Sequence, residues 1–484
     1  MKRIIALLLL GLLPCLLYAQ KVGYGDEIYD DYYEFINKSR KDYLSFRKKQ
    51  NAAYAEFMKQ AWAGYKSFAA MQKPKSKEPP APVVKKNEAP APTEEIRYKV
   101  VITLVPYEVP DPVEPIVEEI PNEESYPLFK FMFHNTPCAV HLSKELVYGV
   151  SDASEQSASE GWSLLSTGDY DAAVNDCIKL RDEMQLGDWG YIKMLQALTA
   201  AYCVEHNEAV LMQMYILTQS GYKVRIARTG EKWVLLMPCS NDIYGYSYIY
   251  RDDMKYYILD AVDSSGYYYV FDKAFPKEQQ LSLQLPKTPR LAYTPTGERT
   301  LASSRYPNMM VSVTENKNLI DFYNEYPLSS KWEFYCQTSL SDRAKDELYP
   351  TLKRQIAGKS AYDAANMLIN FVQTAFDYKT DQDQFGYERP LFGDEILYYP
   401  YSDCEDRSIL YSILVKDLLG LDVVLLEFPG HLATAVRFPN GEAYGYYITI
   451  DGEKYTICDP TYINADVGDC MPQYQKSELK VIRI

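Results

Sequence analysis

The 484-residue chain predicts an α+β fold of two similar modules in tandem, preceded by a long helix and a proline-rich connection. Two observations predict it. An apolar helical run that stops at a glycine and leads into short strand-like runs occurs twice, once ending at Gly221 and once at Gly420. The stretch "QKPKSKEPPAPVVKKNEAPAPTEE", Gln72 to Glu95, holds too much Pro, Lys and Glu to bury apolar surface, and so separates an N-terminal segment from the rest. Hydrophobic residues make up 47% of the chain, enough for most of it to fold, and the length allows more than one core.

Taken in order, residues 1–19 run "MKR", then "IIALLLLGLLPCLL", then "YAQ". This is the layout of a secretory signal cleaved near Ala19 or Gln20. The apolar run is too short for a permanent anchor, and no later segment is apolar for long enough to cross a bilayer. The expected location is outside the cytoplasm: periplasmic, cell-surface or secreted. Residues 20–71 read as one amphipathic helix, because Tyr29, Tyr32, Ile36, Tyr43, Phe46, Phe57, Tyr65 and Phe68 recur at helical spacings. The linker occupies 72–95. Residues 96–300 form the first module, with strands in "IRYKVVITLV" and "YPLFKFMFH", helices from near Gly161, and strands in "YKVRIA", "KWVLLM" and "KYYILDA". Residues 301–484 form the second. There the helix "DAANMLINFVQTAFDY" and another starting within "YPYSDCEDRSILYSILVKDLLG" precede the strands "LDVVLLEF" and "HLATAVRF", joined by "PG", and a strand in "KYTICDPTY".

Composition excludes some classes. A net charge of −15 argues against nucleic acid, whose phosphates require a basic face. Past the signal, the cysteines Cys138, Cys177, Cys203, Cys239, Cys336, Cys404, Cys458 and Cys470 are widely and irregularly spaced, with no C-x-x-C pair to suggest zinc. Some could pair in an exported chain; buried free thiols are the ordinary expectation. The 45 tyrosines are scattered through helices and strands, which reads as packing rather than sugar stacking. "DQDQFG" from Asp381 begins like a calcium loop but has Phe385 at a ligand position and Phe392 where a glutamate belongs. It reads as a loop leading to the site's rim. "GYG" at Gly23 is too short to mean anything for nucleotides.

One constellation carries chemistry. Of the four histidines, only His431 follows Cys404, and Asp459 follows in "CDPTY". Cysteine, then histidine, then carboxylate is an order used in cysteine acyl transfer. Ser402 with Glu405 is a capping-box pattern, with Asp403 as a competing cap. Either choice puts Cys404 in a first helical turn, where exposed N–H groups and the helix dipole favour a thiolate and can receive an oxyanion. Glu405 and Asp406 oppose that thiolate by charge, so a paired histidinium is needed. His431 opens a strand after a turn and Asp459 closes one, so both sit at a sheet edge. They meet only if the Asp459 strand runs antiparallel to the His431 strand, with an outer hairpin formed after Pro439 to Gly445.

At "SDCEDRSIL", "PGHLATAV" and "YTICDPTYINADVG" the sequence resembles the transglutaminase-like superfamily, from about Leu348 to Tyr474, and looks closest to its exported bacterial members. The resemblance implies a papain-like fold with Cys404 as nucleophile, His431 as base and Asp459 as orienting acid, and no metal or organic cofactor. The family's H-A-W version of the histidine motif is here His431-Leu432-Ala433, which departs from vertebrate-type cross-linking. The earlier copy resembles the same fold with its triad eroded: Asn207 near the cysteine position, Lys232 or Trp233 near the histidine position, Asp260 retained, and His206 incidental. The expected function is a cysteine-dependent acyl transfer, hydrolysis before cross-linking, on a peptide, protein or cell-wall amide. The competing class is a catalytically silent binding or scaffolding protein of the cell envelope. No pattern in the chain specifies an oligomer.

Overall fold

The computed structural model describes residues 25–75, 83–86, 90–97, 100–103, 127–146, 148–260, 266–329 and 331–484. The signal expected at 1–19, the Gly23 motif and parts of the 72–95 connection lie outside the described residues. The secondary structure is mixed α+β, with most strands in two sheets. No helix among the described residues is long and apolar enough to cross a membrane.

The first sheet has six strands in the order Ala63–Lys66, Tyr267–Val270, Arg225–Thr229, Lys232–Pro238, Met254–Ile258, Tyr248–Arg251, every neighbour antiparallel. The second has seven: Glu94–Glu95, Tyr446–Ile450, Glu453–Cys458, His431–Val436, Val423–Phe428, Leu479–Arg483, Val100–Thr103. Its inner pairs are antiparallel and its two outermost strands are parallel additions. Without those outer strands, and without Ala63–Lys66 in the first, the two sheets share one order of five strands. Residues 446–450, 453–458, 431–436, 423–428 and 479–483 stand where 248–251, 254–258, 232–238, 225–229 and 267–270 stand in the first.

Each sheet is backed by the helix that precedes its central hairpin. Cys404–Leu419 is buried from Cys404 through Val415, enclosed by Ala361–Thr374, Trp332–Gln337 and the strand His431–Val436. His206–Gln219 is buried from Val210 onward, against Glu155–Leu165, Gly187–Tyr202 and Lys232–Pro238. Burial on every face explains why neither helix shows an amphipathic stripe. One continuous apolar core runs through both halves, from Tyr54 and Trp162 to Leu410 and Val436.

Three expectations on organisation are corrected. The helix expected over 20–71 is Gly25–Met58, after which Trp62 Nε1 donates to Met58 O at 3.1 Å and Ala63–Lys66 becomes an edge strand. Gly64 is a poor helix residue, and the aromatic spacing of Tyr65 and Phe68 fits a helix only by coincidence. The connection 72–95 is in part pinned rather than a free linker. Lys85 N donates to Ile463 O at 2.9 Å, Lys85 Nζ pairs with Asp469 at 2.6 Å, and Glu94–Glu95 joins the second sheet. A proline-rich segment cannot form a helix, yet its remaining N–H and C=O groups can pair with an exposed sheet edge. Val100–Thr103, placed in the 96–300 module by its strand pattern, pairs with Leu479–Ile482 on the C-terminal sheet. The chain therefore passes from the first sheet to the second ahead of the separate hairpin Leu128–Phe133/Thr136–His141.

Candidate functional site

The helix Cys404–Leu419 starts at Cys404, and its N-cap is Asp403. Asp403 and Asp406 exchange side-chain and backbone hydrogen bonds in a capping box, in place of the Ser402–Glu405 box. Ser402 is engaged elsewhere, accepting from Arg407 Nε at 3.1 Å. The Arg407 guanidinium, almost fully buried, also donates to the carbonyls of Gln373 and Phe376 and so anchors the first turn. Ser408 Oγ donates to Leu432 O at 3.0 Å, which ties the helix to the His431 strand. Gly420 ends the helix in the left-handed conformation, as its sequence pattern indicates.

His431 is placed by a two-residue turn. Phe428 pairs with His431 in register, and Gly430 between them has φ +72°, which an L-residue adopts only with strain. The strand of Asp459 is antiparallel to that of His431, with Thr434 opposite Cys458, and Tyr446–Ile450 forms the outer hairpin with Glu453–Cys458. This is the topology that the meeting of the two residues requires, and it brings His431 Nε2 to 2.9 Å from Asp459 Oδ2. The other carboxylate oxygen accepts from Thr461 N and Tyr462 N at 3.0 and 3.2 Å, so the acid is held on both sides. Gln373 Nε2 donates to the carbonyls of Asp459, Tyr462 and Ala465, bracing the same loop. Tyr474 stacks on the imidazole with ring centres 5.0 Å apart and planes 11° apart.

Cys404, His431 and Asp459 are 4%, 4% and 3% exposed. With Nε2 on Asp459, Nδ1 is the nitrogen left for the thiol. It has no partner at hydrogen-bond distance, while Cys404 is near enough to favour the charged ring. The thiol itself donates to Glu405 Oε2 at 3.0 Å. Burial opposes a charge on the ring, but the charge and hydrogen bond of Asp459, with Cys404 added, outweigh it and push the imidazole up to about 10.

A wall of acids flanks the thiol. Oxygens of Asp381, Asp403 and Asp406 lie within 4.8 Å of one another, as do those of Asp381, Glu388 and Glu405, close enough for a cation or for shared protons. Burial, reinforced by neighbouring carboxylates, raises Asp381 to about 11 and Asp403 to about 6, and holds Glu405 and Asp406 well above the usual carboxylate range. Burial thus works against the charge expected from Glu405 and Asp406 beside a thiolate. Asp381 is not on a rim loop. It is buried at the start of a short helix, accepting from Arg389 N at 2.6 Å while its own N–H donates to Asp403 at 3.3 Å. The space beside the thiol, lined by Trp332, Glu388, Glu405, Phe428 and His431, is about 30 Å³, roughly one water molecule.

In the first half, the residue that starts the corresponding helix is His206, with a Glu205–Glu208 capping box in place of Asp403–Asp406. His206 is thus the first residue of its helix as Cys404 is of the other, with Asn207 next to it. Its Nε2 lies 2.9 Å from Trp233 O, and Asn207 bridges to the next strand through Glu231 O and Trp233 N. Lys232 opens its strand as His431 does, and Asp260 accepts from Leu235 N at 2.9 Å. The eight cysteines from Cys138 to Cys470 are all unpaired. Sequence reasoning missed Tyr474, Gln373 and Trp332, which carry no local signal. It also missed Arg407, the one basic residue in the helix's first turns, which was visible in "DCEDR". Comparison with protein-family models, curated proteins and solved structures finds no match.

Proposed function

We propose that the chain is an exported protein of two transglutaminase-like, papain-like modules in tandem, whose C-terminal module is a cysteine-dependent peptidase or amidase. The reading is carried by one observation: a buried imidazole clamped through Nε2 to a doubly held carboxylate, with its other nitrogen left for a thiol at a helix start. Sulfur of Cys404, as thiolate opposite the His431 imidazolium, attacks the carbonyl carbon of an amide, and the C=O electron pair moves to oxygen near the first-turn N–H groups. The intermediate collapses, the C–N bond breaks, and the leaving amine takes the proton from His431. Neutral His431 then takes a proton from water, whose oxygen displaces the sulfur from the thioester and restores thiolate and imidazolium. Asp459 keeps the ring's orientation and tautomer throughout. Substrates are peptide, protein or cell-wall amides, with hydrolysis ahead of amine transfer because water is the abundant acceptor.

A silent binding role has one observation in its favour, the 30 Å³ space beside the thiol, too small for an acyl group unless a wall residue such as Trp332 moves. Peptide profiling of protein and cell-wall digests with wild type against Cys404→Ala separates the two. New amide-cleavage products that vanish in the variant are expected; identical profiles overturn the enzymatic reading.

A further inference from the structure

The acyl-transfer chemistry does not account for the carboxylates around Cys404. The space beside the thiol is walled by four acids, Glu388, Asp403, Glu405 and Glu427, and among its described wall residues there is no lysine or arginine. Acids beside a cysteine disfavour its thiolate by charge, so the arrangement opposes reactivity. It also opposes stability, because Asp403 Oδ1 and Glu405 Oε1, on residues 2% and 3% exposed, are buried acceptors without a partner among the described residues. Local conflicts of this kind are found where a site serves a function.

The basic side chains nearby are committed elsewhere. Arg389 pairs with Glu395, Lys480 pairs with Glu427, and Arg407 donates to Ser402 and to the carbonyls of Gln373 and Phe376. His431 faces its own carboxylate, Asp459. Among the described residues no basic side chain pairs with Glu388, whose carboxylate instead lies within 4.8 Å of oxygens of Asp381 and Glu405. Its backbone N–H donates to Pro74 O at 3.2 Å, which fixes its place on the wall. Glu388 is half-buried, so it is within reach of a molecule entering the space, as the enclosed oxygens of Asp403 and Glu405 are not.

We propose that Glu388 selects amide substrates carrying a primary ammonium beside the scissile bond, the ammonium seated against Glu388 as the carbonyl reaches Cys404. The inference rests on the reading of Cys404 as nucleophile. An ammonium group is close to a water molecule in size, matching the space of about 30 Å³ beside the thiol. It brings three donors to a wall of acceptors, whereas a carboxylate there would meet like charge. A peptide N-terminus and a lysine-type side chain present the same group.

The test reads charge preference at Cys404. Methanethiosulfonates ending in an ammonium, a hydroxyl or a sulfonate are reacted with the full chain, in wild type and in Trp332→Ala, and modification is followed by peptide mass mapping. Each rate is divided by that of the same reagent with a small neutral thiol. At Cys404 the ammonium reagent should react at least about tenfold faster than the sulfonate reagent, equivalent to about 1.4 kcal/mol. That ratio should exceed the one at the half-buried Cys203 and Cys239, which report the field of the whole chain. Glu388→Gln should bring it several-fold closer to one. Raising ionic strength from about 0.01 M to about 1 M should do the same in the unmutated protein, since the screening length falls from about 30 Å to about 3 Å. Labelling of Cys404 without charge preference, or with a preference that Glu388→Gln leaves intact, overturns this inference alone. Labelling no faster than at buried Cys458 with every reagent, even in Trp332→Ala, overturns the nucleophile reading and this inference with it. Where amide-cleavage products form, acetylating the α-amines or the side-chain amines of the digest identifies the ammonium that is read. Loss of products with either supports the inference, and indifference to both overturns it.

Discussion

The two halves place different side chains on one strand order. In the C-terminal half the helix start, strand start and strand end hold Cys404, His431 and Asp459, beside a small pocket of about 30 Å³. In the N-terminal half the same places hold His206, Lys232 and Asp260, and the space beside them opens into about 840 Å³. Asp260 accepts only a backbone N–H from Leu235 among the bonds found for it, whereas Asp459 holds a ring that burial alone would keep neutral. The lesson is that a shared strand order sets where side chains converge, while residue identity decides what they do there.

The sharpest break in that comparison is Asp459→Ala against Asp260→Ala. Removing Asp459 leaves His431 buried without its partner, and a loss of about 3–5 kcal/mol is expected in denaturant unfolding. Removing Asp260 leaves one N–H open, a loss of about 1–3 kcal/mol. Equal losses would mean that only scaffold roles are present. Next in size, a Cβ at Gly468 would lie 2.4 Å from Tyr444 O, where the loop after Asp459 crosses the sheet at φ +95°. Gly468→Ala should destabilise by about 2–4 kcal/mol. Gly230, in the hairpin turn of the first half at φ +57° with nothing within 4 Å, should tolerate alanine at about 1 kcal/mol.

Stability against pH follows from the raised groups. His431, at about 10 when folded, lies above its unfolded value near 6.5. Its contribution is therefore full below about 6.5 and is lost as pH rises toward 10. Asp381, at about 11 when folded and near 4 unfolded, also holds a proton only in the folded state over the interval between, and so acts in the same direction. Thermal stability should fall steadily from pH 7 to 9, by about 1.4 kcal/mol per pH unit for each such proton. Asp381→Asn should flatten part of the slope, and an unchanged slope would show that this carboxyl is not the one holding the proton. The smallest effect is a gain. His206→Cys should label like an ordinary exposed thiol, and adding Lys232→His should raise its rate a few-fold in an alkylation assay, since Asp260 is too far committed to Leu235 to orient the new ring fully.

The central residues were legible because each is announced locally. Cys404 follows a capping acid, His431 follows a Pro-Gly turn, Asp459 ends a strand, and Gly420 stops the helix between them. The expected strand order was a requirement of chemistry, and the antiparallel pairing of Thr434 with Cys458 meets it. The rest depended on contacts distant in sequence. Glu94–Glu95 and Val100–Thr103 join a sheet whose other strands come more than 300 residues later, and no local pattern encodes such edge pairing. Asp381 read as part of a loop leading to the site's rim because its bonds to Arg389 and Asp403 are not visible in the local pattern. The choice between Ser402 and Asp403 as cap was settled by Arg407, which engages the serine.

The coupling of His431 to Cys404 is tested most directly by the rate of iodoacetamide labelling at Cys404 near neutral pH, in wild type and in His431→Ala, each also in a Trp332→Ala background that opens the wall of the space. Buried thiols such as Cys458, which burial pushes up to about 12, provide the slow reference. The expected result is labelling of Cys404 far faster than the reference once Trp332 is removed, and a fall of about 100-fold in His431→Ala. Equal rates with and without His431 in the opened background would contradict the account and leave Cys404 one more buried cysteine.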